Sequence, residues 1–191
     1  MPGRIGVFGK IAGLGDFLRR DLPPGFAEIW DPWLASVMSE SRAQLGASWE
    51  EAYASAPIWR FALAPGVAGP AACLGILMPS QDRVGRLFPL TLVTAAAADR
   101  AAAALGDDTV LLAWEDAALD TLDASHGPAA FEAARAALRP PEGAAGASLT
   151  GTLWRCAEAG PPRAHAGLPD GAAFSSMLAP AGHALAAGRP A

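Results

Sequence analysis

The sequence predicts an α/β protein, a three-layer α/β/α sandwich around a mixed β-sheet, and three observations carry that prediction. Three apolar stretches of strand length, 57–64, 72–78 and 88–95, follow one another between Gly- and Pro-bearing turns. Their residues are mostly apolar at odd and even positions alike, the pattern of strands covered on both faces. Segments with helical spacing lie before and after them, at 26–45 and from Asp107 onward. A length of 191 residues suits one domain, read here as residues 1–181, followed by a flexible tail at 182–191.

The first element, 4–8, is a short strand with Ile5 and Val7 on one side, expected near the centre of the sheet. It runs into a glycine-punctuated turn, Gly9-Lys10-Ile11-Ala12-Gly13-Leu14-Gly15-Asp16. After Pro23-Pro24, the residues Phe26, Ile29, Trp30, Trp33, Val37 and Met38 recur at helical spacing, so 26–45 is an amphipathic helix presenting two Trp. Ser48 with Glu51 three residues on has the spacing of a capping box, which starts a short helix over 48–55. In the first of the three strands Trp59, Phe61 and Leu63 alternate with Ile58, Arg60 and Ala62. Asp107-Asp108 caps a helix with Val110, Trp114, Ala117, Ala118, Thr121 and Leu122 on one face. An Ala-rich helix over 128–138 is stopped by Arg139-Pro140-Pro141. The stretch 148–155 reads as a further strand, 157–169 as too rich in Gly and Pro for regular structure, and 171–178 as a last short helix.

Composition excludes several functions. Fourteen Lys and Arg against 19 Asp and Glu give a net charge of −5, so bulk attraction to nucleic acid or an anionic membrane is not indicated. All of that charge belongs to residues 101–191, so any anion-binding site is expected in the first half. Cys73 and Cys156 have no CxxC spacing, which leaves a disulfide scaffold or zinc site unsupported. MPGRIGVFGK lacks the apolar run of a signal peptide, and the longest weakly polar run, 88–98, is too short to span a bilayer; a cytoplasmic protein is expected.

The candidate chemistry is sparse. His126, His165 and His183 sit in loop or tail contexts, away from acidic or cysteine partners at metal-ligand spacing, so no metal is expected. The turn after the first strand fails the phosphate-loop templates, because Gly9-Lys10 is followed by Ile11, and Gly13-Leu14-Gly15 is followed by Leu18 where a third Gly belongs. The densest constellation is Met78-Pro79-Ser80-Gln81-Asp82-Arg83-Val84-Gly85-Arg86-Leu87-Phe88-Pro89-Leu90, a polar loop between two apolar strands. Arg83 and Arg86 offer planar donor forks for carboxylate or phosphate, Asp82 can orient one of them, and Ser80 adds a hydroxyl. Both loops are expected to meet at one end of the sheet, forming a cleft with Lys10, Asp16, Arg19, Ser80, Asp82, Arg83 and Arg86. A cleft of this kind serves partner recognition, or alternatively a small hydrolase or nucleotide- or phosphate-binding enzyme that uses Asp16 and Asp82 as paired carboxylates.

GVFGK at 6–10, GDFLRR at 15–20, Trp30-Asp31-Pro32-Trp33-Leu34, Pro57-Ile58-Trp59-Arg60-Phe61 and the 78–91 loop, in that order, resemble the TagF (ImpM) family of type VI secretion-associated proteins. The resemblance is dense over residues 3 to 95 and thins to 148–154 and Gly167-Leu168-Pro169 with Phe174 and Met177. Phe8 stands where the family often has Tyr, and Gly151-Thr152-Leu153-Trp154 is a loose version of a Trp-rich strand. The resemblance implies a post-translational repressor of type VI secretion, without enzymatic activity or cofactor, that binds the forkhead-associated scaffold protein of the system. It also marks Gly9, Gly15, Phe17, Trp33, Trp59, Phe61, Gly85, Phe88 and Pro89 as the structural framework of the motifs.

Overall fold

The computed structural model describes residues 4–157 and 160–180; the expected tail at 182–191, and His183 with it, lies outside the described residues. Seven strands form one sheet: β1 (Gly6–Gly9), β2 (Leu18–Arg20), β3 (Trp59–Leu63), β4 (Ala72–Met78), β5 (Leu90–Ala96), β6 (Thr152–Arg155) and β7 (Arg163–His165). Their order across the sheet is β2-β1-β5-β4-β3-β6-β7, and every neighbouring pair is antiparallel. The sheet is therefore antiparallel throughout, where the sequence suggested a mixed one. β3, β4 and β5 follow one another through connections without a helix, which turn the chain back on itself, whereas a parallel pair needs a crossover, usually helical. β1 is an interior strand, but β4 holds the centre.

The helices are α1 (Phe26–Leu45), α2 (Trp49–Ser55), α3 (Ala101–Ala104), α4 (Asp108–Leu119), α5 (Pro128–Ala137) and α6 (Gly171–Leu178). Side chains alternate along each strand, and the alternation separates two cores. Phe8, Trp59, Phe61, Leu63, Cys73, Leu77, Val93 and Trp154 pack with Trp30 and Leu34 of α1, Tyr53 of α2 and Phe174 of α6. Val7, Ala62, Leu74, Ile76, Leu90 and Leu92 pack instead with Ala101 of α3, Leu111 and Trp114 of α4 and Phe131 of α5. The both-sided apolar character of the central strands thus has a direct cause: helices from the first part of the chain and from α6 fill one core, and helices from the second part fill the other.

Buried aromatic side chains carry their polar atoms to partners. Trp30 Nε1 donates to Thr91 Oγ1 at 3.0 Å, fixing α1 on β5, and Trp59 Nε1 donates to the Met177 carbonyl of α6 at 3.0 Å. Phe61 lies against Trp30 and Trp154, with ring centroids 4.9 and 5.2 Å away. Its cross-strand partner is Gly75, where a Cβ would meet the Phe61 ring at 2.5 Å. The missing side chain there makes room for the ring.

Two sequence expectations give way, and one strand is added. Ser48 does not cap α2: it ends a 3₁₀ turn, Gly46–Ser48, with helical dihedrals and no side-chain cap bond. β7 lies within the stretch expected to be irregular, so His165 is on a strand. β2 lies in a stretch that the sequence pattern assigns to no element. Each of these two strands is only three residues long and is held by pairing with a longer neighbour, which a local pattern cannot reveal.

Candidate functional site

The topology brings three strand ends to one rim of the sheet. β4 leaves at Met78 opposite the start of β5 at Leu90, and β1, antiparallel to β5, leaves at Gly9 beside Pro89. The turn after β1 and the 79–89 loop must therefore meet. Gly9 permits the approach, with φ 127° and no Cβ, since a Cβ there would overlap the Pro89 carbonyl.

The meeting is a hydrogen-bonded junction. Ser80 Oγ donates to the Lys10 carbonyl at 2.8 Å, the Arg83 N–H donates to the Leu14 carbonyl at 3.0 Å, and Arg86 Nη2 donates to the Gly15 carbonyl at 2.8 Å. Tyr53 of α2 buttresses the loop from beneath: its hydroxyl donates to the Ser80 carbonyl at 2.9 Å and accepts from the Ser80 N–H at 3.0 Å. Burial pushes the Tyr53 phenol far up, with the bond to Ser80 opposing only in part, so it stays protonated.

Asp82 is the hub. Its Oδ2 accepts from Lys10 Nζ at 2.9 Å and Arg86 Nε at 2.6 Å, and its Oδ1 accepts from the N–H groups of Val84 at 3.0 Å and Arg86 at 2.9 Å. Four donors fill the acceptor positions of one carboxylate that is only 2% exposed. Burial pulls its pKa upward, but the Arg86 N–H, the Lys10 ammonium, the Arg86 guanidinium and the Val84 N–H outweigh that and hold it well below the ordinary carboxylate range.

Of the seven candidate residues, Lys10, Ser80, Asp82, Arg83 and Arg86 meet at this junction. Lys10, Ser80 and Asp82 are buried, so they lie beneath the surface and do not line an open cleft. Arg19 and Asp16 do not join the network. Arg19 lies opposite Phe8 on β2, with its guanidinium 6.0 Å from that ring and 3.9 Å from Glu28 of α1. Asp16 is exposed, and its Oδ1 accepts from the Phe17 N–H at 2.8 Å. Among the framework residues, Trp33 Nε1 donates to the Pro169 carbonyl at 2.7 Å, and Gly85 has φ 81° at the loop tip. Phe17 and Phe88 meet edge to face with centroids 4.8 Å apart.

Residues 6–138 match the TagF N-terminal domain, described as type VI secretion system-associated, and both loops of the junction fall within the match. The chain belongs to the TagF family. The crystal structure of PA0076 from Pseudomonas aeruginosa PAO1 is similar to it with a TM-score of 0.81 at 37% sequence identity, over 91% of this chain and 93% of that one. No curated protein matches the sequence. Among the described residues no helix is long and apolar enough to cross a membrane, and no three His, Cys, Asp or Glu side chains gather as metal ligands.

Two contributors in this TagF chain escaped the sequence reading. Tyr53 lies 27 residues from Ser80 along the chain, and only the packing of α2 brings them together. Val84 was quoted as part of the loop without a role, yet it is 69% exposed. A branched apolar residue between two Arg in a polar loop is the signal by which it could have been found.

Proposed function

We propose that this member of a type VI secretion-associated family is a cytoplasmic, post-translational repressor that binds the forkhead-associated scaffold protein of the system and performs no turnover chemistry. On the same reading, the helices that line the two cores are the outer layers of a three-layer sandwich that serves as a rigid support for the junction. One observation carries the proposal: the junction uses its buried ionisable groups on each other and turns its unengaged groups outward. Asp82 has no acceptor position left for a substrate proton, and Ser80 Oγ donates to a backbone carbonyl. The alternative, an enzyme with Asp16 and Asp82 as paired carboxylates, requires Asp82 to exchange protons near neutral pH, against the four donors that hold it ionised. Arg side chains and apolar groups on a preordered loop are, by contrast, what an interface needs.

The test is retention of the cognate scaffold by the purified full chain, together with a secretion assay. Overproduction is expected to lower the amount of type VI substrate released into the medium at unchanged cellular level. Failure to retain the scaffold, with secretion unaltered by either overproduction or deletion, sinks the proposal.

A further inference from the structure

The 79–89 loop is unusually well tied for a surface loop. The Asp82 N–H donates to the Arg86 carbonyl at 3.1 Å, the Gly85 N–H to the Asp82 carbonyl at 2.9 Å and the Phe88 N–H to the Ser80 carbonyl at 3.0 Å. A bridge between Gln81 and Leu87 and the two amide bonds to Asp82 Oδ1 complete the tie. The tip at 83–86 is thereby fixed before any partner arrives, and little conformational entropy is left to lose on binding.

Two guanidinium groups beside this fixed tip reach the same residue, Gly15. Arg86 Nη2 donates to the Gly15 carbonyl, and Arg83 Nη2 lies 3.6 Å from the position a Cβ on Gly15 would take. Arg86 is 62% exposed along its side chain, with Nε and Nη2 engaged and Nη1 without a partner among the described residues. Arg83 is exposed and its guanidinium has no hydrogen bond or ion pair among the described residues. Two cations drawn to one residue repel, and an anion shared by them offsets the repulsion while satisfying planar donors that suit a carboxylate. Apolar surface flanks the pair: Val84 at the tip is 69% exposed, and Phe17, two residues past Gly15, is 44% exposed.

We infer that Arg83 and the free edge of Arg86 bind an acidic peptide segment of a partner protein, in which one Asp or Glu carboxylate bridges the guanidiniums and a neighbouring apolar side chain rests on Phe17 and Val84. This rests on the reading that the protein works by binding another protein. Charge complementarity selects the occupant. Lys10 is paired with Asp82, so Arg83 and Arg86 against the exposed Asp16 leave this rim with one net positive charge in a chain of net charge −5, and an acidic segment is drawn here. Asp82 already neutralises part of Arg86, and Asp16 adjoins Gly15, so the site suits a single negative charge better than a phosphate dianion.

The experiment titrates the full chain, labelled for NMR, with a short synthetic peptide alternating Glu with Leu, and with the same peptide carrying Gln for Glu. Shift changes are expected at residues 15–17 and 83–86, with affinity falling as salt rises. Arg83→Gln and the Gln peptide should each weaken binding by about tenfold or more, the worth of a hydrogen bond to a charged group. Shifts centred elsewhere, equal affinity for the two peptides, no saturable binding, or binding only when phosphothreonine replaces Glu overturns the inference. Arg83 makes no side-chain bond and Val84 is exposed, so Arg83→Gln with Val84→Ser is expected to fold; if the pair lowers the melting temperature, Val84→Ser alone carries the test. Scaffold retention separates the two readings. A double variant that retains the scaffold as well as the wild-type chain does removes the surface and leaves the repressor reading, whereas peptide binding at the tip without scaffold retention does the reverse.

Discussion

Asp82 concentrates the energetics of the junction in one side chain, because Lys10 beneath it is buried and has that carboxylate as its ionic partner. Removing the charge leaves a buried ammonium uncompensated, which is costly even where the intact pair contributes little net stability. Asp82→Asn is therefore expected to lower the melting temperature at neutral pH. Acid acts in the same direction, because protonation removes the same charge. Asp82 and Asp21, the latter held down by hydrogen bonds from Arg135 and Arg4, both titrate in the folded state below their ordinary value of 3.8. Their stabilisation is fully present above that value and is lost as the pH falls below it. Thermal melts from about pH 5 down to about pH 2 should show the wild type losing stability steeply and Asp82→Asn losing less. Parallel slopes for the two proteins would show that Asp82 is not the acid-sensitive group.

At the scale of elements, Gly75 shows how one strand shapes its neighbour. A Cβ at Gly75 would sit 2.3 Å from the Leu92 carbonyl oxygen and 2.5 Å from the Phe61 ring, with strands on both sides leaving no direction in which to yield. Gly75→Ala is expected to cost about 1–3 kcal/mol in denaturant unfolding, the usual penalty for overpacking. Phe61→Leu in the same chain should recover only part of it, because the Leu92 backbone remains in place. The elements that the sequence predicts well, α1, α4, α5 and α6, carry their own periodicity or caps: Asp107 accepts from the Val110 N–H, as its position before α4 suggested. β2 and β7 were illegible because their strand character comes from a partner far away in the chain. The site follows the same division. Its loop motif could be read from local composition, and the meeting of the two loops was expected, but the burial of Lys10, Ser80 and Asp82 and the separation of Arg19 from them depend on β1 pairing with β5 across more than eighty residues.

For the molecule as a whole, the boundary that matters lies inside the first core. The match to the TagF N-terminal domain ends at residue 138, yet Trp154 of β6 and Phe174, Met177 and Leu178 of α6 are buried in the same cluster as Trp30 and Phe61. Trp33 and Trp59 reach across to the backbone at Pro169 and Met177. Each of those four side chains contributes about 1.5–3 kcal/mol on burial. Together they approach the roughly 5–15 kcal/mol that separates a folded domain from its unfolded chain. Ending the chain at residue 138 also bares the edge of β3, five buried residues long, which invites pairing between chains. A chain of residues 1–138 is therefore expected to show no cooperative thermal transition, to bind a hydrophobic dye and to aggregate, although it retains both loops of the junction. A sharp melt within a few degrees of the full chain would mean that the 6–138 region stands as a folding unit by itself, and that β6, β7 and α6 only decorate it.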